Sequence, residues 1–301
     1  MNKQGRPPIG KSMRIGVCWN VLLFVSLWPA TGCGTLPSDS NSPCLALERS
    51  LIFFPQRYPE GEWYPDNLVV EDAWFNAPVG VRLHGWFAQA EHPRAVILYA
   101  HGNAGNVTNR TEVLRFFRDH FRASILVFDY RGYGRSEGDP TETGILADAR
   151  SARRWLAQRA GVPELDIVLL GNSLGGGVAV DLAARDGARG LILENTFTSL
   201  PDVGSSYFKI VPVHWLMATR LDSLAKIGAY HGPLLQTHGD ADTTVPFELG
   251  QRLFKAANEP KQFMRVPDGC HNGPPSHDYL LALDQFLESL PAHGQPPVSK
   301  E

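Results

Sequence analysis

The 301-residue sequence has no excess of positive charge: 28 Lys and Arg stand against 31 Asp and Glu, a formal net charge of −3. That balance excludes a nucleic-acid binder built on a basic face. Cysteine is scarce, with four in the chain and no Cys-x-x-Cys pair, so a disulfide scaffold and a zinc site of that spacing are both excluded. No apolar run reaches the roughly 20 residues that a membrane-spanning helix needs. A mean hydropathy of −0.17 excludes a polytopic membrane protein. What is present is enough for a full-sized core: 43% apolar, 10% aromatic and only 20% charged residues exclude global disorder.

The N-terminus is organised differently from the rest. Residues 1–14 carry Lys3, Arg6, Lys11 and Arg14 and no acidic residue. An apolar run follows at 15–28, interrupted by Asn20 and Ser26, and then the small residues Ala30-Thr31-Gly32. This is the layout of a secretory signal, a buried N-terminal helix being the alternative. Ala30-Thr31-Gly32-Cys33 resembles the bacterial lipobox, whose Cys receives a diacylglycerol on its thiol and becomes the first residue after cleavage; Ala30 departs from the usual Leu. Residues 1–32 are expected to be a lipoprotein-type signal peptide. Residues 33–44, rich in Ser, Pro and Gly, are expected to form a flexible tether. The implied location is the bacterial cell envelope, with the protein anchored through Cys33 and facing the periplasm or the exterior; the alternative is simple secretion. Cleavage would remove four positive charges, so attachment is expected from acyl chains rather than from charge. Of the remaining cysteines, Cys44 and Cys270 are either bridged or two buried thiols.

Past the tether one alternation recurs. Apolar runs at 95–100, 124–128, 166–170, 191–193, 234–237 and 263–266 read as buried strands. Amphipathic stretches at 109–121, 142–159, 174–185, 247–257 and 279–290 read as helices. Strand and helix in succession predict an α/β fold: a mostly parallel central sheet with helices on both faces. Residues 68–75 and 81–90 read as an edge hairpin joined through Asn76-Ala77-Pro78. One catalytic domain is expected over 45–290, with a disordered tail at 291–301.

Gly171-Asn172-Ser173-Leu174-Gly175 follows one of these strands and opens a helix of small residues. A strand–turn–helix with this pattern is a nucleophile elbow: the turn is too tight for side chains at its glycines, and it lifts the Ser hydroxyl clear of the sheet. It also aims backbone N–H groups at a helix N-terminus toward developing negative charge. Such a Ser needs a base and a group to orient that base, in the chain order Ser, acid, His. Ser173, Asp242 and His271 fit that order, and the latter two follow the last two strands. Asp240, directly after Gly239, is expected to be spent on its turn. His277, beside Ser276 at a helix start, is expected to cap or face solvent. His101-Gly102-Asn103-Ala104-Gly105-Asn106 lacks the Lys and Gly spacing of a phosphate loop. Its turn can present the Asn103 N–H beside that of Leu174 as an oxyanion hole.

Together with Asp129-Tyr130-Arg131-Gly132-Tyr133-Gly134 and Glu194-Asn195-Thr196-Phe197, these segments resemble the α/β-hydrolase superfamily of serine hydrolases. They resemble most its compact, lid-poor branch, serine aminopeptidase-like or esterase-like. The resemblance implies an α/β-hydrolase fold with a short cap, Ser173 as nucleophile, His271 as base, Asp242 as orienting acid, and no metal or organic cofactor. One departure is Gly273, where related sequences often have Asp after His-Asn. The 129–134 segment reads as a turn after a strand rather than as catalytic.

The expected activity is hydrolysis of a carboxylic ester, of short to medium acyl length, through an acyl-enzyme. The alternatives are a peptidase or amidase with the same triad, and a non-catalytic binding protein on the same fold. The expected partner is a small-molecule acyl substrate, for a monomer that binds no nucleic acid and touches the membrane through its anchor. Between residues 193 and 234 there is room only for a small cap, lined by Phe197, Tyr207, Phe208, Trp215, Leu216 and Met217 and broken by Pro201 and Pro212.

Overall fold

A computed structural model describes residues 43–291 of the chain. The expected signal peptide at 1–32, the expected tether with Cys33, and the tail beyond 291 lie outside the described residues, except that a helix already begins at Pro43. Eight strands form one sheet: β1 (Glu71–Asn76), β2 (Arg82–Ala88), β3 (Ala95–Ala100), β4 (Ala123–Phe128), β5 (Ile167–Asn172), β6 (Gly190–Glu194), β7 (Leu234–Gly239) and β8 (Lys261–Val266). Their spatial order is β8-β7-β6-β5-β3-β4-β2-β1. β3 to β8 are mutually parallel, while β2 is antiparallel to β4 and to β1, so the hairpin does form the edge.

The helices are α1 (Pro43–Ile52), α2 (Thr111–Phe121), α3 (Glu142–Ala160), α4 (Leu174–Asp186), α5 (Leu200–Tyr207), α6 (Val213–Leu216), α7 (Leu224–Ile227), α8 (Phe247–Ala256) and α9 (His277–Ser289). Among the described residues, no helix is long and apolar enough to cross a membrane.

The central strands are buried on both faces because alternate residues serve two cores. In β3, Val96, Leu98 and Ala100 join the core under α3, α4 and α8, and Ala95, Ile97 and Tyr99 join the core under α2 and α9. Helix limits follow local chemistry. Thr141 accepts the Gly144 N–H at 3.0 Å to start α3, and Ser276 accepts the Tyr279 N–H at 3.2 Å to start α9. The α2 helix starts two residues later than its amphipathic pattern, because Asn106 and Asn109 cap a 3-10 turn at Val107–Arg110 first.

Strand pairing sets the site. Ala100 pairs with Gly171, Asn172 with Glu194, Glu194 with Thr237, and Gly239 with Val266. The C-terminal ends of five strands therefore line up, where open α/β sheets build their sites.

Candidate active site

Ser173 stands between β5 and α4 with φ 52° and ψ −118°, a left-handed conformation that costs a non-glycine residue about 1–3 kcal/mol. The surroundings hold it there: the Ser173 N–H donates to the Glu194 carbonyl at 2.9 Å, and its carbonyl accepts the Thr196 hydroxyl at 2.9 Å. The flanking glycines are sterically required. A Cβ on Gly175 would lie 1.9 Å from the Ala100 carbonyl oxygen, and one on Gly171 would lie 2.5 Å from the Gly175 carbonyl oxygen.

The Ser173 hydroxyl is 3.0 Å from His271 Nε2, and His271 Nδ1 is 2.7 Å from Asp242 Oδ2. The other Asp242 oxygen accepts the N–H groups of Thr244 at 2.8 Å and Val245 at 2.9 Å. His238 Nε2 lies 3.3 Å from Asp242 Oδ2 and 3.0 Å from the Val245 carbonyl. Burial pushes the Asp242 carboxyl up, but hydrogen bonds from His238, His271 and the Val245 N–H outweigh it and hold the group below the ordinary aspartate value.

The structure thus brings together Ser173, Asp242 and His271 across three loops. The rivals lie elsewhere. Asp240 is not spent on its own turn as expected: its carboxylate pairs with Arg265 Nε at 2.7 Å, because the two lie at adjacent strand ends. His277 is the first residue of α9 and exposed.

Asn103 is where the loop after β3 turns back. Its side chain has a structural role that the sequence does not reveal: Oδ1 accepts the Tyr133 hydroxyl at 2.9 Å and the Phe54 N–H at 3.2 Å, and Nδ2 donates to the Ile52 carbonyl. Gly102 lies against the elbow, where a Cβ on it would stand 3.5 Å from Ser173 Cβ. Leu174 is the first residue of α4, so its N–H is one of the helix donors with no intrahelical partner.

Residues of the Asp129 turn act as braces. Tyr130 donates to the His101 carbonyl at 2.8 Å, and the Arg131 guanidinium grips Asp148 at 2.7 Å. Two contributors escape a reading of the sequence alone, His238 and Asn195. The Asn195 side chain donates to the His271 carbonyl at 2.9 Å and accepts the Gly239 N–H at 3.0 Å. In the sequence Asn195 stands only within the Glu194–Phe197 segment, and His238 only beside Gly239 and Asp240.

Beside His271 a cavity of about 440 Å³ opens between α2 and α9. Its polar floor includes Asn172, Glu194 and Tyr279, and its walls include Val113, Phe116 and Leu280. Burial holds the Glu194 carboxyl above its ordinary value against hydrogen bonds from Tyr279 and Asn172. Among the described residues, no group of three or more His, Cys, Asp or Glu is placed to hold a metal ion.

Cys270, on the His271 loop, is a free and exposed thiol, which corrects both the bridge to Cys44 and the reading of Cys270 as buried. The loop following β8 lies on the surface, so the thiol has no core to enter. The cap is also corrected. Phe197 is buried, but Tyr207, Phe208, Trp215 and Leu216 are exposed, because α5 and α6 are too short to bury them. Tyr207 still reaches inward with its hydroxyl, donating to the Thr243 carbonyl at 2.8 Å.

Comparison with known proteins agrees with this architecture. A family model described as alpha/beta hydrolase fold matches residues 95–212. An uncharacterized protein of Mycobacterium tuberculosis is 36% identical over 253 residues, covering 82% of this chain and 90% of that one. The alpha/beta hydrolase domain-containing protein WAV2 of Arabidopsis thaliana is 32% identical over 252 residues, covering 75% and 82%. Among solved structures, the Pyrococcus furiosus esterase Pf2001 superposes with a TM-score of 0.65 at 20% identity, over 79% of this chain and 98% of that one. The chain belongs to the α/β-hydrolase family.

Proposed function

We propose that the protein is a serine hydrolase that cleaves a carboxylic ester of short to medium acyl length through an acyl-enzyme. The observation that carries this reading is the unbroken series from Ser173 Oγ to His271 Nε2 at 3.0 Å and from His271 Nδ1 to Asp242 at 2.7 Å. In this reading His271 takes the Ser173 proton as the hydroxyl attacks the ester carbonyl. Asp242, kept ionised by its hydrogen bonds, fixes the imidazole tautomer and stabilises the imidazolium that forms. The N–H groups of Asn103 and Leu174 receive the tetrahedral oxyanion, each such donor contributing about 10²–10³-fold in rate. His271 then gives its proton to the departing alkoxide. A water, deprotonated by the same imidazole, releases the carboxylic acid and restores Ser173.

The short cap supports a small substrate: α5 and α6, eight and four residues long, offer little surface to cover a long acyl chain. We also propose that Cys33 carries the lipid that holds the enzyme to the cell envelope. The experiment is a panel of chromogenic acyl esters and aminoacyl anilides, with Ser173→Ala as the blank. Ester turnover that exceeds anilide turnover supports the esterase reading, and faster anilide turnover moves the activity to a peptidase.

A further inference from the structure

The start of the described chain and the rim of the site share one face. Glu48 of α1 accepts the N–H groups of Ala218 at 3.0 Å and Thr219 at 2.6 Å, which fastens this helix to the cap just after α6. At the other end of α1, the Ile52 carbonyl and the Phe54 N–H hold the Asn103 side chain. The chain entering the domain therefore runs along the rim from the cap to the candidate oxyanion loop.

That rim is apolar toward solvent. Leu47 and Leu51, one turn apart on α1, are 60% and 59% exposed. In the cap, Ile210 is 98% and Trp215 86% exposed, with Phe208 and Leu216 beside them in sequence. Single exposed apolar residues are ordinary. Here they are concentrated in one short segment and in the helix hydrogen-bonded next to it, a pattern that marks an interaction surface. The charge is selective as well: residues 207–217 contain Lys209 and His214 and no carboxylate, although the whole chain is net negative.

We propose that this face rests on a phospholipid surface, with Ile210 and Trp215 in the boundary between headgroups and acyl chains and the site opening beside it. Trp favours that boundary because its ring is apolar and its N–H is polar, and Lys209 suits the phosphates. The proposal takes its setting from the Cys33 anchor. Cys33 and Pro43 are ten positions apart, a reach of at most about 35 Å, so an anchored Cys33 keeps the start of α1 within that distance of the bilayer.

The test compares two full-length proteins that cannot be lipidated, Cys33→Ala alone and Cys33→Ala with Ile210→Ser and Trp215→Ser. Each is sedimented with vesicles of phosphatidylcholine and phosphatidylglycerol, and any contribution of residues 1–32 is common to both. The protein with Ile210 and Trp215 intact is expected to bind about tenfold more tightly, since each methylene buried is worth about 0.8 kcal/mol, with equal turnover of p-nitrophenyl acetate in solution. Equal vesicle binding overturns the proposal. So does a concentration-dependent dimer that the two Ser substitutions abolish while vesicle binding stays the same, because the face then belongs to a second copy. A tenfold difference in vesicle binding supports the surface even where the wild type carries no lipid or neither protein turns over ester; those results reject the anchor or the hydrolase reading instead.

Discussion

The side chain of Asn195, at the end of β6, joins the His271 loop to the strand end that leads to Asp242. It donates to the His271 carbonyl at 2.9 Å and accepts the Gly239 N–H at 3.0 Å. Asn195 has φ 48°, a left-handed conformation that Asn tolerates better than most residues. One amide thus holds the base and the acid of the candidate triad in register from the strand between the nucleophile and both loops.

Asn195→Ala is expected to lower kcat by about 10–100-fold with KM changed far less, because a small misplacement of the base is costly even far from the bond being broken. Steady-state kinetics on a soluble ester reads this directly. An unchanged kcat would make Asn195 merely structural.

Asp242→Asn is expected to reduce kcat by orders of magnitude, since it removes the carboxylate that fixes the His271 tautomer. Asp240→Asn breaks only the ion pair with Arg265, whose guanidinium is largely exposed, and is expected to leave kcat within about twofold. The opposite ranking would move the acid of the triad to Asp240.

Much of this arrangement is legible in the sequence, for physical reasons. The central parallel strands are buried on both faces, so β3 and most of β4 and β5 read as continuous apolar runs. The elbow is legible because backbone contacts at Gly171 and Gly175 leave room for no other residue. The cap is not. The apolar residues Trp215 and Leu216 look the same in sequence whether they face the site or the solvent. His238 and Asn195 are also out of reach as individual contributors, because their partners are 4 and 76 residues away and meet only through the folding of the loops after the strands. Cys270 is misread because its neighbours in sequence do not say whether the loop after the last strand is covered.

His101 gives a pH dependence of stability. Burial, with the nearby positive charge of Arg110, lowers its pKa to about 3, while an unfolded His titrates near 6.5. As pH falls through about 6.5 the unfolded chain takes up a proton that the folded chain refuses. Its contribution is therefore full above that pH and is lost progressively down to about 3, at up to about 1.4 kcal/mol per pH unit. His101→Asn, whose amide can keep the hydrogen bond to the Gly102 carbonyl, is expected to flatten that slope in urea unfolding measured between pH 7 and 4. Parallel pH profiles for parent and variant would show that His101 is protonated in the folded state.

Acyl length provides a check on the pocket. Each buried methylene is worth about 0.8 kcal/mol, so kcat/KM rises with chain length only while the pocket still covers the chain. With no long lid over the site, kcat/KM on p-nitrophenyl esters is expected to peak between acetate and hexanoate. A maximum at palmitate would contradict this and indicate a covered acyl channel.

The most direct test of the account is covalent labelling of the parent protein and of Ser173→Ala with a fluorophosphonate probe, followed by peptide mapping. The account predicts one modified residue, Ser173, in the parent, none in the variant, and a loss of kcat of at least about 10³-fold in a variant that remains folded. Labelling at another serine, or a Ser173→Ala protein that retains its activity, would contradict it.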